Sequence, residues 1–133
     1  MGSIYLAAPL SREEDRERNR QFAEKLRLLG YDVILPQEFG VIPKGNTDVG
    51  LRRLLLKKDF DAMDEAEVCI GYMDRKGGPS EGMIFEMGYM YAQGKPVALL
   101  NPHNVYKYGS ILAYATERVT GEEEVLEWLD KVL

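Results

Sequence analysis

The stretch VCIGYMDRKGGPSEGMIFEMGYMYAQGKPVALL, residues 68–100, decides the fold of this chain. It begins with the run Val68–Tyr72 and ends with the run Pro96–Leu100, and both are too continuously apolar to have a solvent-facing side. Between them lie a glycine-rich loop and a segment of helical length, from about Ser80 to Gln93. A buried strand, a helix and a second buried strand in this order predict a βαβ unit with parallel strands.

The same alternation of strands and helices extends towards both termini. Further strands are predicted at Ser3–Ala7 and Asp32–Leu35, with a shorter fifth strand at Glu117–Thr120. Further helices are predicted from Ser11 to Gly30, from about Asp48 to Ala66, and from Thr120 to the end of the chain. We therefore expect residues 1–133 to form one α/β domain, a three-layer sandwich of the flavodoxin or Rossmann type with a five-stranded parallel sheet.

Capping residues and hydrophobic spacing predict how these helices begin and pack. Ser11 with Glu14, and Thr120 with Glu123, have the spacing of capping boxes, and Gly30 suits a left-handed C-terminal cap. The side chains expected on buried helix faces are apolar residues at helical spacing. They are Phe22, Leu26 and Leu29 in the first helix, Met83, Ile84, Met87 and Met90 in the third, and Val125, Leu126, Leu129 and Val132 or Leu133 in the last.

Composition limits the kinds of protein that this chain could be. Its 133 residues, 45% of them hydrophobic, suffice for a single core. The formal net charge of -5 argues against nucleic-acid binding, which usually needs lysines and arginines gathered on one face. No segment approaches the roughly 20 apolar residues that span a bilayer, and the lone Cys69 cannot form an internal disulfide. We expect a soluble, cytoplasmic protein that binds neither nucleic acid nor membranes.

The loop before the third helix is a candidate phosphate site. Ligands of open parallel sheets bind beyond the carboxyl ends of the strands, and Asp74–Gly82, DRKGGPSEG, is such a loop. Gly77 and Gly78 free the backbone, and Ser80 suits the start of a helix. Exposed amides at a helix N-terminus favour an anion. The same composition serves equally well for a plain capped turn.

Two carboxylates are candidates for catalysis. Glu86 lies one turn further into the third helix and shares a face with Gly82, which leaves space above the carboxylate for a ligand. Asp59 lies in the helix that leads into the third strand. From the residue pattern alone, both are more typical of solvated surface charges than of catalytic groups.

Several other chemistries lack their motifs. The chain has no Walker phosphate loop, no GxGxxG after the first strand, no HExxH and no cysteine pair. His103 is the only histidine, which excludes multi-histidine metal sites. We expect neither a metal ion nor a cofactor.

Three parts of the sequence resemble the nucleoside 2-deoxyribosyltransferase family: IYLAAP at Ile4–Pro9, Asp59 ahead of the third strand, and GMIFEMGYMYAQGKP at Gly82–Pro96. The resemblance covers essentially the whole chain. It implies that Glu86 is the nucleophile, that Asp59 assists at the nucleobase, and that Tyr5 helps to hold the nucleophile. The carboxylate would attack the anomeric carbon and form a glycosyl ester, which a second base or water then opens with net retention.

One departure from the family affects the substrate. Ser80 stands where members that act on unphosphorylated nucleosides tend to have Asp, and a Ser there resembles the related 5′-monophosphate N-glycosidases. Ser110 matches another phosphate position of those enzymes, supplied there by the neighbouring subunit. Ser11 and Arg12, in the first loop, are chemically suited to an anion. The resemblance thus implies a nucleotide substrate, and a homodimer or a dimer of dimers.

The sequence leaves more than one function open. The first is an enzyme that forms a glycosyl-Glu86 intermediate and transfers the deoxyribosyl group to another nucleobase, with 5′-monophosphate hydrolysis as the close alternative. The second is a nucleotide-binding module that keeps the fold without catalysis. A flavin carrier is a third, although the first loop lacks the Ser/Thr-rich phosphate site that such a protein would need.

Overall fold

The computed structural model describes residues 2–43, 45–73, 79–101 and 116–133. In these segments five strands alternate with four helices, which confirms the predicted α/β class. The strands are β1 Ser3–Ala7, β2 Asp32–Ile34, β3 Val68–Tyr72, β4 Val97–Leu100 and β5 Glu117–Val119. The helices are α1 Glu13–Leu28, α2 Val49–Glu65, α3 Glu81–Ala92 and α4 Glu122–Val132, with a short 3₁₀ turn at Pro36–Phe39. None of these described helices is long and apolar enough to cross a membrane.

The strands form one parallel sheet in the order β2-β1-β3-β4-β5. Ile4 of β1 pairs with Val33 of β2 on one side and with Val68 of β3 on the other. The chain therefore adds β2 on one side of β1 and all later strands on the other side, so the strand order reverses between β1 and β3. This is the flavodoxin-like order, and ligands of such sheets bind beyond the carboxyl ends of the strands at that reversal.

Helices cover both faces of the sheet, which confirms the predicted three-layer sandwich. Successive strand side chains point to opposite faces. Ile4 and Leu6 pack into a core with residues of α1 and α4. Tyr5 and Ala7 point the other way, into a core that contains Met63 of α2 and the buried methionines of α3. The alternating side chains of β1 thus contribute to two separate apolar layers.

A glycine in β3 allows α3 to pack closely onto the sheet. A Cβ atom at Gly71 would lie 2.4 Å from Sδ of Met87. Because Gly71 has no side chain, Met87 fills the space directly above the strand and α3 lies against β3. The same contact brings the second turn of α3 near the neighbouring strand, β1.

The two predicted capping boxes, Ser11 with Glu14 and Thr120 with Glu123, are wrong. Arg12 precedes α1 and Gly121 precedes α4, and neither makes a side-chain capping bond. Three acidic residues occupy the first turn of each of these helices, where carboxylates interact favourably with the helix dipole. These helix ends therefore do not depend on a hydroxyl cap. The predicted left-handed cap at Gly30 is confirmed by its φ of 98°.

Two residues expected in the core lie on the surface. Leu29 is 50% exposed because α1 ends one residue before it, and Ile84 is 39% exposed because it lies on the side of α3 away from the sheet. Trp128, which the prediction missed, is buried in the core beside α4 residues Val125 and Leu129. Its spacing of three residues from Val125 was a signal for this position.

Candidate active site

A hydrogen bond joins β1 to α3 at the carboxyl edge of the sheet. The hydroxyl of Tyr5, a fully buried residue of β1, donates to the Glu86 carboxylate in the second turn of α3. Met83 and Met87, on the buried side of α3, anchor the helix to the sheet on either side of Glu86. Glu86 therefore points towards β1, and the alternative of a solvated helical glutamate does not hold.

The surroundings of Glu86 disfavour its charged form. The pKa of Glu86 is raised to about 7, chiefly by burial and to a smaller extent by the charge of Asp59, while the hydrogen bond from Tyr5 acts in the opposite direction. Burial and the Glu86 charge also raise the pKa of Tyr5. Tyr5 therefore stays protonated and remains a donor. The result is a desolvated carboxylate held in one orientation.

Asp59 is a second carboxylate beside the same site. It lies half-buried on α2, and burial raises its pKa to about 6. The charge of Asp59 raises the pKa of both Glu86 and Tyr5, so the three groups lie close enough to interact electrostatically. The alternative of a plain surface charge therefore does not hold for Asp59. A carboxyl group with a pKa near neutrality is suited to general acid and base catalysis.

Two adjoining cavities open at this edge of the sheet. One has a volume of about 570 Å³ and is lined by Glu86, by the start of α3 and by residues that follow β1. The other has a volume of about 700 Å³ and lies between α2 and the segment that follows β2. We call them the Glu86 cavity and the α2 cavity. Leu10, Ser11, Leu56 and Asp59 line both, so Asp59 lies at the junction.

Three of the predicted substrate contacts line the Glu86 cavity: Ser80, Gly82 and Ser11. Ser80 is the N-cap of α3, and its hydroxyl accepts a hydrogen bond from the Met83 amide at 3.3 Å. Gly82 has open space where a Cβ would stand, as predicted from its position one turn before Glu86. Ser11 is exposed and lines both cavities.

A fourth predicted contact, Arg12, is held away from both cavities. The guanidinium of Arg12 donates to Asp15, at 3.0 and 3.1 Å, and forms an ion pair with Glu14. Arg12 is also not among the described residues that line either cavity, because the buried Asp15 carboxylate draws it back onto α1. Ser110 lies outside the described residues.

The Gly-Lys-Pro segment after α3 has a structural role. Gly94, with a φ of 76°, ends the helix, and the Lys95 ammonium donates to the carbonyls of Met63 and Asp64 at 2.6 and 2.9 Å. Cations at a helix C-terminus are stabilising, and these carbonyls belong to the last turn of α2. Tyr89 of α3 and Gln93, the residue that follows α3, donate two further hydrogen bonds to the Asp64 carboxylate, at 2.6 and 2.7 Å.

We call this group of four residues, Asp64, Tyr89, Gln93 and Lys95, the α2–α3 clasp. It fixes the end of α2 to the end of α3. Asp59 lies in α2 just before the clasp, and Glu86 lies in α3 just before it. The clasp therefore sets the position of one carboxylate relative to the other.

The sequence pattern missed one charged residue of the α2 cavity, Arg52. Its spacing of seven residues from Asp59, two helical turns, is a signal that both lie on one face of α2. Gln37 and Glu38, which follow β2, both have partners within the protein. Gln37 bonds with Asn19 and with the Arg16 carbonyl, and Glu38 pairs with Arg27.

These features define the class of the protein. No group of three or more His, Cys, Asp or Glu in the described part of the chain is placed to hold a metal ion. The site instead offers two carboxyl groups beside cavities at the reversal of an α/β sheet. Enzymes that break glycosidic bonds usually have two carboxyl groups, one that attacks the sugar or activates water and one that transfers a proton to the leaving group. Fold and site together are those of a glycosyl-transferring enzyme.

Comparison with known proteins identifies the family. The profile described as nucleoside 2-deoxyribosyltransferase matches residues 4–121, and the chain belongs to this family. Its activity is therefore of the nucleoside deoxyribosyltransferase or N-glycosidase kind. No curated protein gives a significant match to the chain.

Solved structures with the same fold include three enzymes. The 2-deoxyribosyltransferase of Bacillus psychrosaccharolyticus is 25% identical, with a TM-score of 0.75, over 92% of this chain and 89% of that one. The CMP N-glycosidase of Clostridium botulinum is 20% identical, with a TM-score of 0.63, over 96% and 98% of the two chains. The 2-desoxiribosyltransferase of Leishmania mexicana is 23% identical, with a TM-score of 0.62, over 97% of each.

We expect Glu86→Gln to stabilise the folded protein at alkaline pH. The pKa of Glu86 is about 7 in the fold against an ordinary 4.5, so the folded state binds the proton more tightly and loses stability as pH rises between these values. Gln has nearly the same shape and no charge. At about 1.4 kcal/mol per pH unit, the variant should gain up to about 3 kcal/mol above the folded pKa.

Urea unfolding of both proteins, at about pH 4 and about pH 8, measures this difference. Glu65→Gln, which removes an exposed carboxylate at the end of α2, is the control and should change little. A Glu86→Gln variant no more stable than the natural protein at either pH would contradict the burial of this charge.

Proposed function

We propose that this enzyme cleaves the N-glycosidic bond of a deoxynucleoside or its 5′-monophosphate through a covalent glycosyl-Glu86 intermediate, and transfers the deoxyribosyl group to another nucleobase. One observation carries the proposal. The Glu86 carboxylate is desolvated, is held by Tyr5, and lines a cavity that it shares with Asp59. Such a carboxylate is oriented to attack a sugar carbon placed in that cavity.

The reaction takes place in two displacements. A carboxylate oxygen of Glu86 attacks C1′, and the bond between C1′ and the base nitrogen breaks. The electron pair of that bond leaves with the base, which takes a proton from Asp59. A nitrogen of the incoming base then attacks C1′, returns a proton to Asp59 and releases the Glu86 carboxylate. Two inversions at C1′ give net retention.

The protonation states of the two carboxyl groups set the pH dependence. The productive enzyme has Glu86 ionised and Asp59 protonated. Their pKa values of about 7 and about 6 leave a single proton on the pair between these pH values, mostly on Glu86, so the productive form is the smaller fraction in which that proton lies on Asp59. The rate should fall in acid, where both groups are protonated, and in alkali, where both are ionised.

The start of α3 supports binding of a 5′-phosphate. Ser80 and Gly82 place the N-terminal turn of α3 at the Glu86 cavity, and Ser11, which follows β1, adds a hydroxyl to the lining. Glu81 lines the same cavity, and its charge acts against a phosphate. The free deoxynucleoside therefore remains within the proposal beside the nucleotide.

The lining of the α2 cavity favours transfer to a base over transfer to water. Most of the residues that line it are aliphatic, among them Ile42, Leu55 and Leu56. A flat nucleobase between such side chains excludes water from the ester, and a second base then takes the place of the first. Hydrolysis of the 5′-monophosphate is the alternative if this cavity stands empty after the first base leaves.

We propose a homodimer, or a dimer of dimers, in which a neighbouring subunit covers α3 beside the site. Phe85 is 66% exposed and lines the Glu86 cavity, and the adjacent Ile84 is 39% exposed. Exposed apolar side chains grouped together are typical of interfaces. A neighbour packed there would close the cavity, and Ser110 would be supplied in trans.

Tyr5→Phe should lower kcat/KM and move the alkaline limb of the pH profile to higher pH, because Glu86 has the higher pKa of the pair and its ionisation sets that limb. The hydrogen bond from Tyr5 lowers the pKa of Glu86, so its loss makes Glu86 ionise only at a higher pH. A hydrogen bond to a charged group contributes about 1.5–3 kcal/mol, which corresponds to a loss of roughly tenfold or more. The measurement is kcat/KM as a function of pH. Tyr91→Phe, an exposed tyrosine of α3, is the control. An alkaline limb that stays in place would rule out this role for Tyr5.

A chromatographic assay tests the reaction. The protein is incubated with each deoxynucleoside and each 5′-monophosphate, with and without an acceptor base. We expect a new nucleoside or nucleotide only when the acceptor is present, and we expect Glu86→Ala to abolish it. Free base from monophosphates without an acceptor would establish hydrolysis instead. Cleavage that persists in Glu86→Ala would refute the nucleophile, and no cleavage of any substrate would favour a binding module.

A further inference from the structure

The α2 cavity has a charged residue at each end. Asp59 lies at its junction with the Glu86 cavity, and Arg52 lies two helical turns earlier on the same face of α2. Seven residues of α-helix separate the two backbone positions by roughly 10 Å. Leu55 and Leu56 lie between them along α2 and also line the cavity. The cavity is therefore an apolar slot with an acid at one end and a cation at the other.

The opposite wall of the slot is the segment that follows β2. Pro36, Val41 and Ile42 line the cavity from this side. Gly40, with a φ of 139°, makes the close approach to α2, since a Cβ there would lie 3.2 Å from a methyl group of Leu55. Aliphatic side chains facing each other across a slot suit a flat ring, which packs against both walls.

Arg52 is the one basic residue among the described residues that line the two cavities. Its Nη2 donates to the Asn46 carbonyl at 2.6 Å, which restrains the side chain beside the slot. A guanidinium has five N–H donors and no acceptor. The group that meets Arg52 must therefore present acceptors, because an amino group there would set donor against donor.

We propose that Arg52 makes this enzyme selective for nucleobases with a carbonyl oxygen on the edge remote from the sugar, over bases with an amino group at that position. The inference rests on the proposed function, since Glu86 and Asp59 fix the end of the slot that receives the glycosidic nitrogen. The remote edge of the base then faces Arg52. Arginine binds the carbonyl oxygen and ring nitrogen of guanine in this way, and adenine and cytosine present an amino group instead.

Two pairs of substrates that differ only at this edge test the inference. They are deoxyinosine against deoxyadenosine and deoxyuridine against deoxycytidine, each as the nucleoside and as the 5′-monophosphate. We expect the natural enzyme to favour the oxo member of each pair in kcat/KM. Arg52→Met should reduce that preference by roughly five- to 100-fold, mostly through loss on the oxo substrates.

Arg53→Met is the matched control. Arg53 is the next residue of α2, is exposed, and is not among the described residues that line either cavity. This variant should keep the preference of the natural enzyme. An oxo preference that is the same in Arg52→Met and in the natural enzyme, or a natural preference for the amino substrates, would overturn the inference.

Binding of free bases separates this inference from the proposed reaction. Calorimetry with Glu86→Gln protein, which lacks the nucleophile, compares hypoxanthine with adenine before and after the additional Arg52→Met change. Hypoxanthine binding that weakens when Arg52 is lost supports the inference, even if no substrate is cleaved and the proposed reaction fails. Equal binding of the two bases, unaffected by Arg52, would refute it.

Discussion

The burial of one carboxylate against one tyrosine is the constraint on which the rest of the site depends. Glu86 is shielded from water by the packing of α3 on the sheet and is oriented by Tyr5 from the adjacent strand. The strand order makes this possible, because it places β1 beside β3 at the reversal where α3 begins. A desolvated carboxylate is costly to keep ionised, and its raised pKa measures that cost. The fold therefore gives up stability at alkaline pH to hold a reactive group in place.

The remaining elements set what faces that carboxylate. The α2–α3 clasp fixes the two helices to each other through Lys95 and Asp64, and so it holds Asp59 near Glu86. The face of α2 that carries Asp59 also carries Arg52, so one helix supplies both ends of the slot. Chemistry at the sugar and selection of the base are thereby linked through the orientation of α2.

Much of the fold could be predicted from the sequence, because a strand covered on both faces has to be apolar throughout. β1 and β3 have the predicted bounds for this reason. The hydrogen bond between Tyr5 and Glu86 could not be derived from local pattern, since it joins residues 81 positions apart and depends on strand order. Only the family resemblance pointed to it. Residue type alone also did not predict the ion pair in which Asp15 holds Arg12, a cation chemically suited to bind an anion.

Mass spectrometry of the intact protein during turnover tests the central claim most directly. A 2′-fluoroarabinosyl substrate, whose electronegative substituent slows both displacements, would let the intermediate accumulate before an acid quench. We predict a mass increase of one sugar group, or one sugar phosphate, that peptide mapping assigns to the peptide containing Glu86. Turnover with no adduct, together with a product of inverted configuration at C1′, would contradict the account, as would an adduct on any other residue.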